Sequence, residues 1–179
     1  MTRRKSFNFD RWVEENRHRL VPPISNMHLF DEKTEMVVMV IGGGNERTDY
    51  HDNPVDEFYY QVRGNIVLKV SENGEHYDVP IGAGDVFYIP PHVRHSPQRR
   101  DEASIGLVVE GKRSSGQEDG FEWFCFGCGN LIHRVQVPIV DIVADLPPLF
   151  ETFYQSNEAR TCKKCGDFHP GKTPPSGWT

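Results

Sequence analysis

No stretch of this sequence approaches the roughly 18 apolar residues that a membrane-spanning helix needs. The opening MTRRKSFNFDRWVEENRHRL has no apolar segment of the kind a secretory leader carries, so the cytoplasm is the expected compartment and no membrane partner is expected. Basic runs are equally short. None exceeds Arg3-Arg4-Lys5, and 26 acidic residues against 20 basic ones leave a net charge of −6, which gives nucleic acid no electrostatic footprint. Gly42-Gly43-Gly44 is followed by neither a Lys-Ser/Thr pair nor a helical pattern, which argues against a phosphate-binding loop and for a flexible turn. No internal repeat is visible. These absences point to a small-molecule partner.

What is present is 179 residues, 37% of them hydrophobic, enough for one substantial core. Residues 8–15 have a helical pattern, with Phe9 and Trp12 on one side, Asp10 as the expected cap and Pro22-Pro23 as the stop. Short β-branched and aromatic runs then follow at 35–41, 57–62, 65–71, 76–81, 85–89 and 104–110, separated by Gly, Pro, Asn or Asp. Asn73-Gly74 is a strong hairpin signal. This is the rhythm of an all-β barrel or sandwich. After Gly111 the composition changes: 112–119 is polar, 135–144 is one apolar segment, 146–154 mixes prolines with aromatics, and 160–179 has little apolar periodicity. The expected organisation is therefore a barrel over 1–111 and an extension over 112–179 packed on it, forming a single domain.

His51, Glu57 and His95 form the first constellation. Glu57 follows His51 after six residues, and Gly84, Pro90 and His95 keep a fixed spacing. Both segments resemble the two signature motifs of the cupin superfamily, a small double-stranded β-helix or jelly-roll barrel that turns metal ligands inward. The sequence departs from that pattern twice. Asn53 stands where a second histidine of the first motif is usual, and His92 stands where the second motif has glycine. Two histidines and one carboxylate suit non-haem Fe(II) oxygenases, because three protein ligands leave positions open for substrate and dioxygen; zinc or nickel in the same cage stays open as an alternative. His18, His28, His76, His133 and His169 lack this support and are expected to be surface or structural.

Residues an even number apart on a strand share a face. Arg47 lies four before His51 and Arg99 four after His95, so regular strands would turn both guanidinium groups into the metal cavity, with Glu110 closing it from a neighbouring strand. Buried arginines call for an anion, and the guanidinium fork suits a carboxylate. Spacing alone equally allows surface ion pairs, Arg47 with Glu46, Asp49 or Asp52 and Arg99 with Asp101 or Glu102. Val37, Met39, Phe58, Tyr59, Tyr60 and Ile89 are the candidates for apolar walls or core.

The cysteines form the second constellation, Cys125/Cys128 and Cys162/Cys165, each pair followed by glycine. Without a secretion signal, this pattern favours a metal over disulfides, with redox-active pairs as the alternative. The pairs resemble the knuckles of rubredoxin. A closed four-cysteine site for Fe or Zn with a structural role is expected, since four thiolates leave no position open for chemistry.

Taken together, these residues make the chain resemble the bacterial-type 3-hydroxyanthranilate 3,4-dioxygenase family over nearly its whole length. The resemblance implies that 3-hydroxyanthranilate chelates Fe(II) held by His51, Glu57 and His95. It further implies that Arg47 and Arg99 hold the substrate carboxylate, that Glu57 and Glu110 also face the substrate, and that Glu110 takes the hydroxyl proton. Dioxygen would then open the ring to 2-amino-3-carboxymuconate semialdehyde, which cyclises to quinolinate. A homodimer is expected on the same basis. A metal-dependent isomerase or a non-catalytic cupin that binds a small acid are the alternatives.

Overall fold

The structure, a computed structural model, describes residues 5–22, 25–30, 35–139 and 142–178. Its strands form two antiparallel sheets. One sheet has the order β1 (Asn26–His28), β2 (Met36–Gly42), β9 (Ile105–Gly111), β4 (Glu57–Arg63) and β7 (Val86–Ile89). The other has the order β11 (Leu131–Val137), β10 (Asp119–Phe124), β3 (Asp49–Asp52), β8 (Arg94–Gln98), β5 (Ile66–Glu72) and β6 (Glu75–Ile81). Met39, Tyr59, Ile89 and Val108 of the first sheet pack against Ile66, Leu68, Val70 and Ile81 of the second. The all-β jelly-roll cupin barrel expected from the sequence is the architecture found.

The six strands anticipated from alternation are present to within a residue or so at either end. The hairpin at Asn73-Gly74 joins β5 to β6 with Glu72 opposite Glu75 and both turn residues at positive φ, 52° and 82°. Alternation along β4 also sorts the wall candidates. Tyr59 is buried, whereas Phe58 and Tyr60 point outward at 40% and 38% exposure, so neither belongs to the core. Met39 and Ile89 are buried and Val37 half-buried.

The first helix, α1, spans Phe9–Asn16 and is capped by Asn8, whose side chain accepts from the Arg11 amide at 2.9 Å. Asp10 is not the cap; its carboxylate pairs with Arg63 at 2.9 Å instead. Val13 of α1, with Leu20, packs against Val40 and Ile105 on the outer face of the first sheet. Gly42 and Gly43 are points of close backbone approach. A Cβ would meet the Leu20 carbonyl oxygen at 1.9 Å and that of Asp101 at 1.8 Å, and Gly44 has a positive φ of 75°, which accounts for the triplet without a ligand.

The segment after Gly111 contributes β10 next to β3, β11 beyond it, α2 (Ile142–Gln155) and α3 (Asn157–Arg160). The apolar run at 135–144 is divided between the end of β11 and the start of α2; residues 140 and 141 lie outside the described ones. Phe150 and Phe153 of α2 pack on Phe121 and Trp123 of β10, with Phe153 stacked on Trp123 at 4.3 Å. Phe121 in turn stacks on the ring of His51 at 5.0 Å and 6°. The added helix thus braces a histidine of the candidate site.

Candidate active site

His51 of β3 stands directly opposite His95 of β8 in the second sheet, while Glu57 of β4 is paired with Glu110 of β9 in the first. The two sheets therefore bring two histidines and two carboxylates face to face. Glu57 Oε1 lies 3.4 Å from His51 Nδ1 and 3.4 Å from His95 Nε2, and one ligand atom from each of the three falls within 4.8 Å of the others. All three side chains are buried.

The far nitrogens of both rings are already committed. His51 Nε2 lies 2.7 Å from Asp119 Oδ1, and His95 Nδ1 lies 2.9 Å from the Val93 carbonyl oxygen. Each partner takes an N–H, which leaves the opposite nitrogen of each ring facing Glu57, where a metal ion can take the place of a proton. Burial lowers the pKa of His51, but bonds to Asp119 and Glu57 outweigh it and raise the value to about 9. Glu57 is held well below the carboxylate range: burial opposes this, but His95 and His51 overcome it. The pocket thus favours a positive charge among its carboxylates, and two imidazoles with one carboxylate fit a divalent transition metal.

Asn53, which stands in place of the missing histidine, bridges the carboxylates. Its Nδ2 donates to Glu57 Oε1 and to Glu110 Oε2, the latter at 3.3 Å, while its Oδ1 accepts from the Val55 amide. The departure from the motif thus replaces a ligand with a bridging hydrogen-bond donor. His92, in place of the motif glycine, has φ 67° and is anchored by its Nδ1 at 3.0 Å from Asp52. Burial pushes the Glu110 pKa up and the charge of Glu57 adds to this, against Arg113.

Arg99 and Arg47 behave differently. Neither lies inside a strand, so the face-sharing argument does not apply to them as stated: β3 begins at Asp49, and Arg99 follows the end of β8 in an isolated bridge with Asn45. Arg99 is 2% exposed, and its Nε and Nη2 have no hydrogen-bond partner among the described residues. Nη1 donates to Gln61 Oε1 at 3.3 Å. Burial lowers its pKa to about 10, with only Tyr59 opposing. Tyr59 connects the two: its ring lies 6.3 Å from His95, and its hydroxyl is influenced by the charges of both Glu57 and Arg99, which puts this guanidinium on the side of the histidine-carboxylate cluster. Gly106 makes the room, since a Cβ there would meet Arg99 Nη1 at 2.6 Å. A buried cation with free donors is costly unless an anion completes it. Arg47, by contrast, is half-buried, bonds to Asp49 through Nε and Nη2, and lies over the Phe150 ring at 5.8 Å. Of the pairings considered for these arginines, the one between Arg47 and Asp49 is found, but Asp49 is buried, so it is not the surface ion pair that the spacing allowed.

Sequence reasoning missed two residues here. Arg113 and Asp119 sit beyond β9 with no fixed spacing to either motif, and only the strand pairing of β10 with β3 makes Asp119 a neighbour of His51. A cavity of about 550 Å³, lined by residues such as Ile66, Ile81 and Arg100, lies elsewhere, and none of its lining residues belongs to the cluster.

The four cysteines converge at a second centre. Cys125 Sγ and Cys165 Sγ are 3.5 Å apart, and Cys128 Sγ and Cys162 Sγ are 3.7 Å apart, too far for disulfides and close to the ~3.8 Å edge of a tetrahedron with 2.3 Å metal–sulfur bonds. The two loops are built alike. The amides of Gly129 and Gly166 bond the carbonyls of Cys125 and Cys162, and the amides of Cys125 and Cys162 bond Asn130 and Asp167 carbonyls, all at 2.8 Å. The Cys165 amide lowers the Cys162 thiol to about 7, whereas burial pushes Cys125 up to about 12.

A family described as 3-hydroxyanthranilic acid dioxygenase matches residues 1–154. Over 178 residues, the chain is 55% identical to the 3-hydroxyanthranilate 3,4-dioxygenase of Ruegeria pomeroyi, covering 99% of this chain and 98% of that one. It is 53% identical over the same proportions to the like-named protein of a Jannaschia species. A cupin-2 domain protein from Shewanella frigidimarina superposes with a TM-score of 0.48 at 16% identity, over 59% of this chain and 94% of that one.

Proposed function

Because the chain belongs to the 3-hydroxyanthranilic acid dioxygenase family, we propose that it opens the ring of 3-hydroxyanthranilate with dioxygen, giving 2-amino-3-carboxymuconate semialdehyde. This product, which cyclises to quinolinate, belongs to tryptophan degradation through kynurenine, on the route to pyridine nucleotides. The observation that carries the reading is the buried, anion-deficient Arg99 beside the His51, Glu57 and His95 cluster: a site for a cation next to a site for a carboxylate.

His51, Glu57 and His95 would hold Fe(II), which, when bound, would supply chelation of the substrate and activation of dioxygen. Arg99 takes the substrate carboxylate through Nε and Nη2, and Arg47, held by Asp49, gives the second grip. Glu110 receives the hydroxyl proton, a role for which its raised affinity for protons equips it. Phe121 and Tyr59 line the site with apolar surface and limit water. The four-cysteine centre holds Fe or Zn as a closed structural site that fastens the tail. In the same reading, residues 112–179 pack on the 1–111 barrel as one domain, supported by β10 lying beside β3.

Homodimer formation is supported by an aromatic patch on the outer face of the first sheet, where Phe58 faces Tyr88 and Tyr60 faces Val86 across β4 and β7, all four exposed. A cytoplasmic setting is supported by the four unpaired thiols. No helix among the described residues is long and apolar enough to cross a membrane.

The test is oxygen uptake by Fe(II)-reconstituted protein given 3-hydroxyanthranilate, with the ring-opened product followed by absorbance. One dioxygen per product is expected. No uptake with iron bound at the histidine site would return the protein to a metal-dependent isomerase or a sensor of small acids.

A further inference from the structure

One guanidinium touches three of the groups that set the geometry around the reacting centre. Arg113 lies in the loop between β9 and β10 with its side chain 14% exposed. Its Nη1 donates to Glu110 Oε2 at 2.6 Å. Its Nε and Nη2 grip Asp119 as a fork, at 2.8 Å to Oδ2 and 2.6 Å to Oδ1, and Nη2 also reaches Asn53 Oδ1 at 3.2 Å. Each partner acts on a different part of the site. Asp119 Oδ1 accepts from His51 Nε2, Asn53 Nδ2 donates to Glu57, and Glu110 is the acid-base carboxylate of the proposed reaction.

We propose that Arg113 is a positioning residue that locks Glu110 and two of the three metal ligands into one unit. The inference rests on the dioxygenase reading for the role of Glu110, but not for the role of His51 and Glu57. Two consequences follow from the contacts. The Asp119 carboxylate, pinned on both oxygens, fixes the orientation of the His51 ring, as second partners of metal-bound histidines do. Glu110 is held through Oε2 by both Arg113 and Asn53, so Oε1 is left to receive the substrate proton in one fixed orientation. Lysine does not reproduce this arrangement, because an ammonium is a single point and cannot fork Asp119 while reaching Glu110. Loop anchoring alone would explain a contact to one of these carboxylates; it does not require that all three polar partners be those that touch metal ligands or the base.

The experiment compares Arg113→Gln and Arg113→Lys with the parent, with the four-cysteine site filled by zinc in each. Fe(II) affinity at the histidine site is measured by competition with a chromophoric chelator, and kcat and KM for 3-hydroxyanthranilate are measured separately. For Arg113→Gln we expect Fe(II) affinity to fall about 10-fold or more and kcat per bound iron to fall about 10- to 100-fold, with KM within about threefold of the parent. Arg113→Lys should recover part of one loss but not both, and it replaces the glutamine variant if that one does not fold. A lowered melting temperature with parental Fe(II) affinity and parental kcat in either variant would reduce Arg113 to a loop anchor and overturn the proposal. If the parent shows no oxygen uptake, the dioxygenase reading fails, and the affinity measurement alone decides whether Arg113 positions the ligands.

Discussion

His51 Nε2 lies 2.7 Å from Asp119 Oδ1, a contact between strands 68 residues apart in sequence that leaves Nδ1 of the same ring facing Glu57. Asp119 is therefore the group that chooses the tautomer of His51, the ligand proposed for the metal. Replacing it with asparagine keeps the size but removes the charge. We expect Asp119→Asn to weaken metal binding at the histidine site about 10- to 100-fold. A chelator competition titration checks this, and an affinity within about twofold of the parent would separate Asp119 from the ligand.

Arg99 is a buried cation without an anion among the described residues, so its removal should have opposite effects on stability and binding. Arg99→Met fills similar space without a charge, and we expect the melting temperature of the substrate-free protein to hold or rise. Loss of charge-assisted hydrogen bonds of about 1.5–3 kcal/mol should raise KM for a carboxylate substrate roughly 10- to 150-fold. The check is a thermal melt with and without 3-hydroxyanthranilate alongside the kinetics. A variant that is destabilised when free and unchanged in KM would make Arg99 a structural residue.

The four-cysteine centre should control the tail and not the chemistry. In Cys165→Ser, one exposed thiolate is lost from the set. A loss of ~4 kcal/mol, at the large end for a single substitution that removes a metal ligand, corresponds to roughly 8–16 °C at about 2–4 °C per kcal/mol. Iron at the histidine site and kcat below the new melting temperature should persist. Loss of activity at temperatures where the variant is folded would give the cysteine-bound metal a direct role.

The pH dependence of the metal-free site has a definite sign. Burial lowers the His51 pKa, but Asp119 and Glu57 raise it above its ordinary 6.5 to about 9. A group whose folded pKa is raised contributes stability that is complete below the unfolded value and lost as pH climbs through the folded one. Protein stripped of metal at the histidine site, with zinc kept at the cysteines, should therefore lose melting temperature between about pH 6.5 and 9. With that site loaded, the decline should disappear, because the metal replaces the proton on Nδ1. Parallel curves for the two forms would place the His51 charge elsewhere.

The strands whose residues alternate cleanly between core and solvent were readable in the sequence. β4 alternates buried and exposed at Glu57, Phe58, Tyr59 and Tyr60, and β5 and β6 are pinned by Asn73-Gly74. β3 was not readable, since all of Asp49, Tyr50, His51 and Asp52 are buried, and this erases the period of two. β8 contains Pro97, which argues against a strand. Pro147 and Pro148 similarly disguised α2, where the packing of Phe150 and Phe153 on Phe121 and Trp123 outweighs two missing backbone donors. The His51, Glu57 and His95 triplet was legible because motif spacing encodes it. Arg113 and Asp119 were not, because they reach the site through sheet pairing, and nothing local to 112–119 distinguishes them from a solvated loop.

Iron at the His51, Glu57 and His95 site is the proposed seat of oxygen consumption. Initial oxygen uptake with 3-hydroxyanthranilate should be measured as Fe(II) is titrated into protein whose four-cysteine site already holds zinc, for the parent and for His51→Ala. We predict a rate that rises in proportion to the first equivalent of iron from zero and then stops rising, with one dioxygen consumed per ring opened, and no rate at any iron level in His51→Ala. Uptake before iron is added, or undiminished uptake in His51→Ala, would contradict it.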